Sequence, residues 1–271
     1  MKAVSTEVLD ELVKQVLATK KYADVSPDLV RLIASHELAR RNNLKDADKA
    51  TRSKLHQVGS AYQEAAIPYE KMRSQLDQLP PRLTDPTTKD VLKQFLTYHA
   101  STRERLPILE RIFTETLAPI APIRSIVDIA CGLNPLAIPW MPLDESCKYL
   151  AFDIYGEMID FVNLFFKKFR IDGHASVRDV LNELPDEPVQ LALILKTIPC
   201  LEQIDKSAGL RLMENVRAEN LLVSFPGRSL GGRSKGMVQN YEAHFNELTA
   251  GKDWRILRFE FPGELAFLVQ K

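Results

Sequence analysis

From Ser125 to Val269, short apolar runs alternate with helix-period segments, and few folds accommodate that alternation. Strand-like runs fall at Ser125–Ile129, Tyr149–Ile154, Ala175–Val177, Leu191–Leu195, Leu221–Phe225, Arg255–Phe261 and Leu265–Val269. Helical patterns, among them Glu157–Phe169 and Asp205–Val216, separate most of them. This order predicts an α/β fold: a parallel sheet with helices on both faces. Leu191–Leu195 is apolar at every position, as a central parallel strand must be. Only Pro262-Gly263-Glu264 separates the last two runs, too short a connection for anything but an antiparallel hairpin.

The first hundred residues have a different texture. Val4, Val8, Leu12, Val16 and Leu17 fall at helical spacing. Ser26-Pro27-Asp28 reads as an N-cap followed by proline at the first helical position, and Leu29, Leu32, Ile33 and Leu38 continue that second helix. A third helix is expected from Ala47 to Tyr62, and no strand-like run precedes residue 120. Apolar residues make up 45% of the 271, enough to exclude wholesale disorder. No run approaches the roughly 20 apolar residues that a membrane span needs. The opening MKAVSTEVLDELVKQVL carries acids inside its apolar pattern, so it reads as an amphipathic helix and not a signal peptide. Cys131, Cys147 and Cys200 lack metal-ligand spacing and cannot all pair, so a reduced, cytoplasmic setting without a metal is expected. Basic and acidic residues balance at 36 each, which argues against a protein that coats nucleic acid.

The first strand runs into Asp128-Ile129-Ala130-Cys131-Gly132-Leu133-Asn134-Pro135. Ligands of doubly wound sheets bind beyond the carboxyl ends of the strands, where a glycine lets the backbone pass close to them. Asp128 is placed to hold this turn or to reach an ammonium group through a water. Asp153 ends the second strand, 21 residues after Gly132, and suits hydrogen bonds to ribose hydroxyls. Asp179-Val180, after the third strand, suits an adenine amino group and ring face. A turn of this kind is also common without a ligand, and a strand-end aspartate often caps a helix. Ala130 stands where the first glycine of G-x-G-x-x-G would be, which weakens a pyrophosphate-bearing dinucleotide as ligand.

His99-Ala100-Ser101-Thr102-Arg103-Glu104-Arg105 contains a capping box, with Ser101 as N-cap and Glu104 at N3. The box does not explain His99, Arg103 and Arg105 crowded at one helix start. Arg105 is suited to pair with a carboxylate such as that of a bound amino-acid moiety. Pro226 to Met237 holds four of the eleven glycines with Arg228, Arg233 and Lys235, a composition that suits either a phosphate backbone or a solvated loop. Gly227 to Ser234 also reads as a degenerate P-loop, with arginine in place of the required lysine. Lys20, Lys21, Arg40, Arg41, Arg52, Lys54, Lys71 and Arg73 offer a basic face in the helical region.

Together these residues resemble the aminoglycoside-resistance methyltransferases that modify guanine N7 in 16S ribosomal RNA. The matching elements are Lys20-Lys21-Tyr22, Lys54-Leu55-His56 with Gly59, Ala61 and Tyr62, and His99-Ala100-Ser101-Thr102. The Asp128–Pro135 turn matches, as does Val223-Ser224-Phe225-Pro226 running into Arg228–Arg233 and Lys235-Gly236-Met237. Gly227 departs from the pattern, where a hydroxyl residue is expected. The resemblance implies a class I S-adenosylmethionine-dependent methyltransferase fold, Rossmann-like, with a seven-stranded sheet. A helical ribosome-docking domain over residues 1–98 would precede a methyltransferase domain over residues 99–271. It implies S-adenosyl-L-methionine held by Tyr62, His99, Ser101, Arg105, Ala130, Gly132, Asp153, Ile154, Asp179 and Val180, with Lys196 near the target pocket. It implies the 30S subunit as partner, gripped through Lys20, Lys21, Arg52, Lys54, Lys71, Arg228, Arg233, Lys235 and Met237, and neither DNA nor a membrane.

Guanine N7 carries an in-plane lone pair and no proton, so no general base is needed, and none is evident in the sequence. Catalysis is then proximity and alignment, on a base flipped out of its helix. Two other readings stay open at this stage: methylation of another ribosomal RNA position such as an adenine N1, and a non-catalytic ribosome-binding protein. Cytosine C5 attack is weaker, because Cys131 and Cys200 are not placed as activated nucleophiles.

Overall fold

The computed structural model describes residues 5–41, 43–59, 66–227 and 236–271. Among them, seven strands form one sheet: β1 (Ile123–Ile129), β2 (Leu143–Asp153), β3 (Gly173–Val177), β4 (Val189–Leu195), β5 (Ala218–Pro226), β6 (Arg255–Phe261) and β7 (Glu264–Gln270). Their order is β3-β2-β1-β4-β5-β7-β6. The neighbours from β3 to β5 are parallel, and β7 runs antiparallel to both β5 and β6. The order reverses between β1 and β4, which is where a doubly wound sheet opens a crevice for a ligand.

The terminal hairpin is tighter than the sequence spacing suggests. Phe261 pairs with Glu264, so the loop is Pro262-Gly263 alone, with Gly263 at φ +85°. Proline followed by a positive-φ glycine is the type II turn combination. Glu264 is therefore the first residue of β7 and is buried. Gly227 lies against the same turn: its N–H donates to Gly263 O at 2.8 Å, and a Cβ there would lie 2.9 Å from the Gly263 carbonyl carbon. Backbone proximity accounts for glycine at the one position that departs from the family pattern.

Among the described residues, seven α-helices precede the sheet: α1 (Thr6–Leu17), α2 (Pro27–Arg40), α3 (Leu44–Val58), α4 (Tyr69–Gln78), α5 (Pro86–Leu96), α6 (Ala100–Arg105) and α7 (Leu109–Leu117). Within the sheet region lie α8 (Gly156–Phe169), α9 (Ile198–Leu201), α10 (Ala208–Asn215) and α11 (Met237–Thr249). Helix α2 starts at Pro27 as predicted. Helix α3 starts earlier than expected, because Asn43 Oδ1 accepts from the Asp46 N–H at 2.8 Å and caps it. Its predicted end at Tyr62 lies outside the described residues. The helix expected from Asp205 starts at Ala208, because the Asp205 carboxylate accepts from the Ser207 N–H at 2.9 Å and closes a turn instead.

The helical region and one face of the sheet share a buried cluster running from Leu12 and Val16 through Met72 and Phe95 to Phe161 and Leu193. The other face buries Val127, Ile194, Leu212, Phe245 and Phe267. Polar contacts fix the docking of the N-terminal segment. Ser26 N–H donates to Ile154 O at 2.8 Å, and the Asp24 carboxylate accepts from the Glu157 N–H at 2.9 Å, capping α8 from far away in the chain. These contacts set the start of α2 against the carboxyl end of β2.

Candidate active site

A cleft enclosing about 740 Å³, open mouth included, lies at the carboxyl ends of β1, β2 and β4. Leu29, Ile154, Val180, Leu181, Leu201 and Ile204 supply apolar walls. Eight of the residues carried over for the cofactor line it: His99, Ser101, Ala130, Asp153, Ile154, Asp179, Val180 and Lys196. Gly132 and Arg105 are buried and do not line it, and Tyr62 lies outside the described residues. Leu29 and Val58 bring α2 and α3 into the wall, a contribution with no local signal in the sequence.

The turn after β1 is bent by two left-handed residues, Ala130 and Gly132, both at φ +53°. That conformation costs an alanine roughly 1–2 kcal/mol, so the turn needs bracing. Asp153 supplies it: Oδ2 accepts from the Gly132 N–H at 2.8 Å and Oδ1 from the Ile154 N–H at 2.7 Å. Burial raises the Asp153 carboxyl, and these backbone donors oppose the rise. The Tyr155 N–H is a third backbone donor to this carboxylate, which leaves one of its four lone-pair sites for a ligand hydroxyl. A Cβ on Gly132 would lie 2.9 Å from His99 Cε1, so glycine is what lets the imidazole rest on the turn. Asp179 is braced in the same way, by the Leu181 N–H at 3.0 Å and Asn182 Nδ2 at 2.7 Å.

Asp128 holds the turn from behind. Its Oδ2 accepts from Asn134 Nδ2 at 2.8 Å and from the Tyr149 hydroxyl at 2.7 Å. Burial pushes its carboxyl up to about 7, against those two donors and the Arg105 charge. Folded-state pKa above the unfolded 3.8 means the protonated form favours folding: that stabilisation is full below pH 3.8 and is lost as pH rises through about 7. Asp128→Asn keeps an oxygen for both donors and cannot ionise. Its melting temperature relative to the native chain should therefore climb from pH 4.5 to about pH 7 and level off above it. A difference that stays flat over that range, measured by thermal unfolding, would exclude a strained Asp128 carboxylate.

The predicted capping box is corrected by the geometry. Helix α6 begins at Ala100 with extended His99 as N-cap, and Ser101 lies inside the helix. The Ser101 hydroxyl is 2.9 Å from His99 Nδ1. Burial, then the charges of Arg105, Lys196 and Arg103, lower the His99 pKa to about 4, so the ring is neutral at physiological pH.

Beneath the cleft lies an ion cluster whose acidic member, Glu264, has no signal in the sequence. Arg105 and Glu264 side chains are each 1% exposed, and Arg105 clamps Glu264 through Nη2 at 2.8 Å and Nε at 3.1 Å. Arg105 Nη1 also donates to Asn134 Oδ1 at 3.1 Å, and the Ser224 hydroxyl donates to Glu264 Oε1 at 2.7 Å. Lys196 Nζ lies 2.7 Å from Glu104 Oε2 and 3.4 Å from Glu264 Oε2. Burial alone would raise the Glu264 carboxyl, but Arg105 and Lys196 outweigh it and hold it below the ordinary value. The carboxylate that Arg105 meets thus belongs to the chain itself.

The basic residues divide. Lys21 Nζ and the Arg52 guanidinium lie 5.5 and 5.8 Å from the centroid of the Tyr22 ring, and Lys21 Nζ is 3.3 Å from His56 Nδ1. Arg52 is paired with Asp48 at 2.8 Å. Lys54 donates to Gln203 O at 2.8 Å, tying α3 to the segment after α9. Lys20 and Lys71 are exposed, and Lys71 lies on α4, which packs against α8. Met237 begins α11, while Arg228, Arg233 and Lys235 lie outside the described residues.

A seven-stranded sheet of this order, with two braced aspartates facing an apolar cleft at its switch point, defines a class I S-adenosylmethionine-dependent methyltransferase. The donor set fits that cofactor: the carboxylates of Asp153 and Asp179 suit the donors of an adenosine. Residues 18–268 match the ribosomal RNA methyltransferase (FmrO) family, and the chain belongs to it. It is 36% identical, over 97% of both chains, to a 16S rRNA (guanine(1405)-N(7))-methyltransferase of Micromonospora echinospora. It is 34% identical, over 88% of both, to one of Serratia marcescens with the same name. Its fold matches the crystal structure of the 16S rRNA methyltransferase RmtF in complex with S-adenosyl-L-homocysteine. That match has a TM-score of 0.84 and 32% identity, over 99% of this chain and 100% of RmtF. Among the described residues, no helix is long and apolar enough to cross a membrane and no side-chain cluster could hold a metal.

Proposed function

We propose that this chain methylates N7 of guanine 1405 of 16S ribosomal RNA in the assembled 30S subunit, in the cytoplasm, and so confers aminoglycoside resistance. The observation that carries the reading is the end-to-end match to relatives of that activity, 97% of both chains in the Micromonospora echinospora case. When bound, S-adenosylmethionine supplies an electrophilic sulfonium methyl. Asp153 and Asp179 hold the nucleoside, and the apolar walls exclude water from it. His99, neutral at physiological pH, lines the cleft without adding a positive charge. N7 has no proton to lose, so the chain needs only to align it with the methyl.

Residues 1–98 would dock on the subunit, and residues 99–271 would perform the transfer. Lys20, Lys21 and Lys71 are exposed cations suited to phosphate contacts, and Arg228, Arg233, Lys235 and Met237 are assigned to the same interface. Arg52 and Lys54 contribute through the helix packing they also support. With tritiated S-adenosylmethionine and unmethylated 30S subunits, the label is expected on that one guanine. Label mapped to another nucleotide, or none beside an active control enzyme, would overturn the assignment.

A further inference from the structure

The chain holds Glu104 in an unusual way. It lies on α6 three residues after cleft-lining Ser101, hence on the same helix face. Its Oε2 is 2.7 Å from Lys196 Nζ, at the carboxyl end of β4. The lysine side chain is 1% exposed, whereas the glutamate side chain is 37% exposed. Lys196 itself sits at φ +59°, a conformation unfavourable for a side-chain-bearing residue. An ordinary surface ion pair leaves both partners free to reorient. Here one partner is immobile and buried, so the carboxylate is pinned beside cleft-lining Lys196. Among the described residues, no hydrogen-bond donor lies on its Oε1.

We propose that Glu104, tethered by Lys196, is a specificity-determining residue that reads the Watson–Crick edge of the guanine whose N7 is methylated. This rests on the proposed function. Guanine offers two adjacent donors on that edge, N1–H and the N2 amino group, and a carboxylate is an acceptor only. Adenine presents its N1 lone pair there and is repelled. N7 lies on the opposite side of the purine, so a base held by that edge turns N7 away from Glu104. Pinning the acceptor before the base arrives removes the ordering cost from the binding step.

Glu104→Gln tests this directly. The amide must turn its oxygen to Lys196 Nζ, which leaves its NH₂ facing the base. That is a donor against the donors of guanine and a match for N1 of adenine. Native chain and variant are compared in single-turnover methyl transfer to 30S subunits carrying guanine or adenine at the target position. Cofactor affinity is measured by calorimetry and subunit affinity by filtration. The expected result is a guanine rate lowered roughly 10- to 100-fold, with both affinities within about threefold of native and adenine-bearing subunits labelled faster by the variant than by the native chain. The inference is overturned by an unchanged guanine rate. It is overturned equally by a rate loss that tracks cofactor affinity or melting temperature, or by adenine labelled no faster than by the native chain. Absence of guanine label with the native chain itself would instead defeat the proposed function, and this inference with it.

Discussion

Replacing Glu264 by alanine is expected to lower the melting temperature by roughly 6–20 °C. The change leaves Arg105 and Lys196 buried without the carboxylate they share. Removing one partner of a buried ion pair destabilises by about 3–5 kcal/mol, because the stranded charge cannot reach water. In a domain of this size each kcal/mol shifts the melting temperature by about 2–4 °C. The pH dependence has a definite sign. Folding lowers the Glu264 pKa from 4.5, so its contribution is full above pH 4.5 and is lost as pH falls through the folded value. The native chain and Glu264→Ala should therefore converge in stability on acidification and stay apart from pH 5 to 8. Thermal unfolding across that range measures both effects. A loss below about 2 °C would mean that the cluster is already solvated in the native state.

Asp153→Asn is expected to weaken S-adenosylmethionine binding roughly 100-fold, a loss of about 3 kcal/mol for charged hydrogen bonds. Both carboxylate oxygens already accept a backbone N–H, from Gly132 and from Ile154. An amide satisfies one of them and turns its NH₂ against the other. The turn then loses the brace that keeps Ala130 and Gly132 left-handed, and the ligand loses an acceptor. Calorimetry with S-adenosylmethionine checks this, and circular dichroism separates loss of the site from loss of the fold. Native-like affinity in the Asp153→Asn variant would reduce Asp153 to a bystander of the cleft.

The elements most legible in the sequence are those set by local pattern. The apolar run Leu191–Leu195 forms the central strand β4, and the short connection after Phe261 forms the hairpin. Asp153 and Asp179 stand at the strand ends where period-two runs stop, so the topology delivers them to one cleft. The capping box does not form, because Ser101 and Glu104 have the right spacing for a helix that in fact starts one residue before Ser101. Three residues between two strand patterns do not reveal where pairing resumes, so the sequence leaves Glu264 in the loop. Its residue types show that Arg105 needs a carboxylate, but not whose.

By itself, then, the sequence determined the alternation of strands and helices, the antiparallel ending, and the chemistry of the turn after β1. Each follows from side-chain period, loop length or backbone freedom, which act over a few residues. Only the tertiary structure decided that Arg105 meets Glu264, 159 residues away, and that Asp24 caps a helix 133 residues on. It alone brought Leu29 and Val58 into the wall of the cofactor cleft. Such contacts leave no periodic trace: a buried charge needs a counter-charge somewhere, and only the packing of the whole chain specifies which one lies within reach.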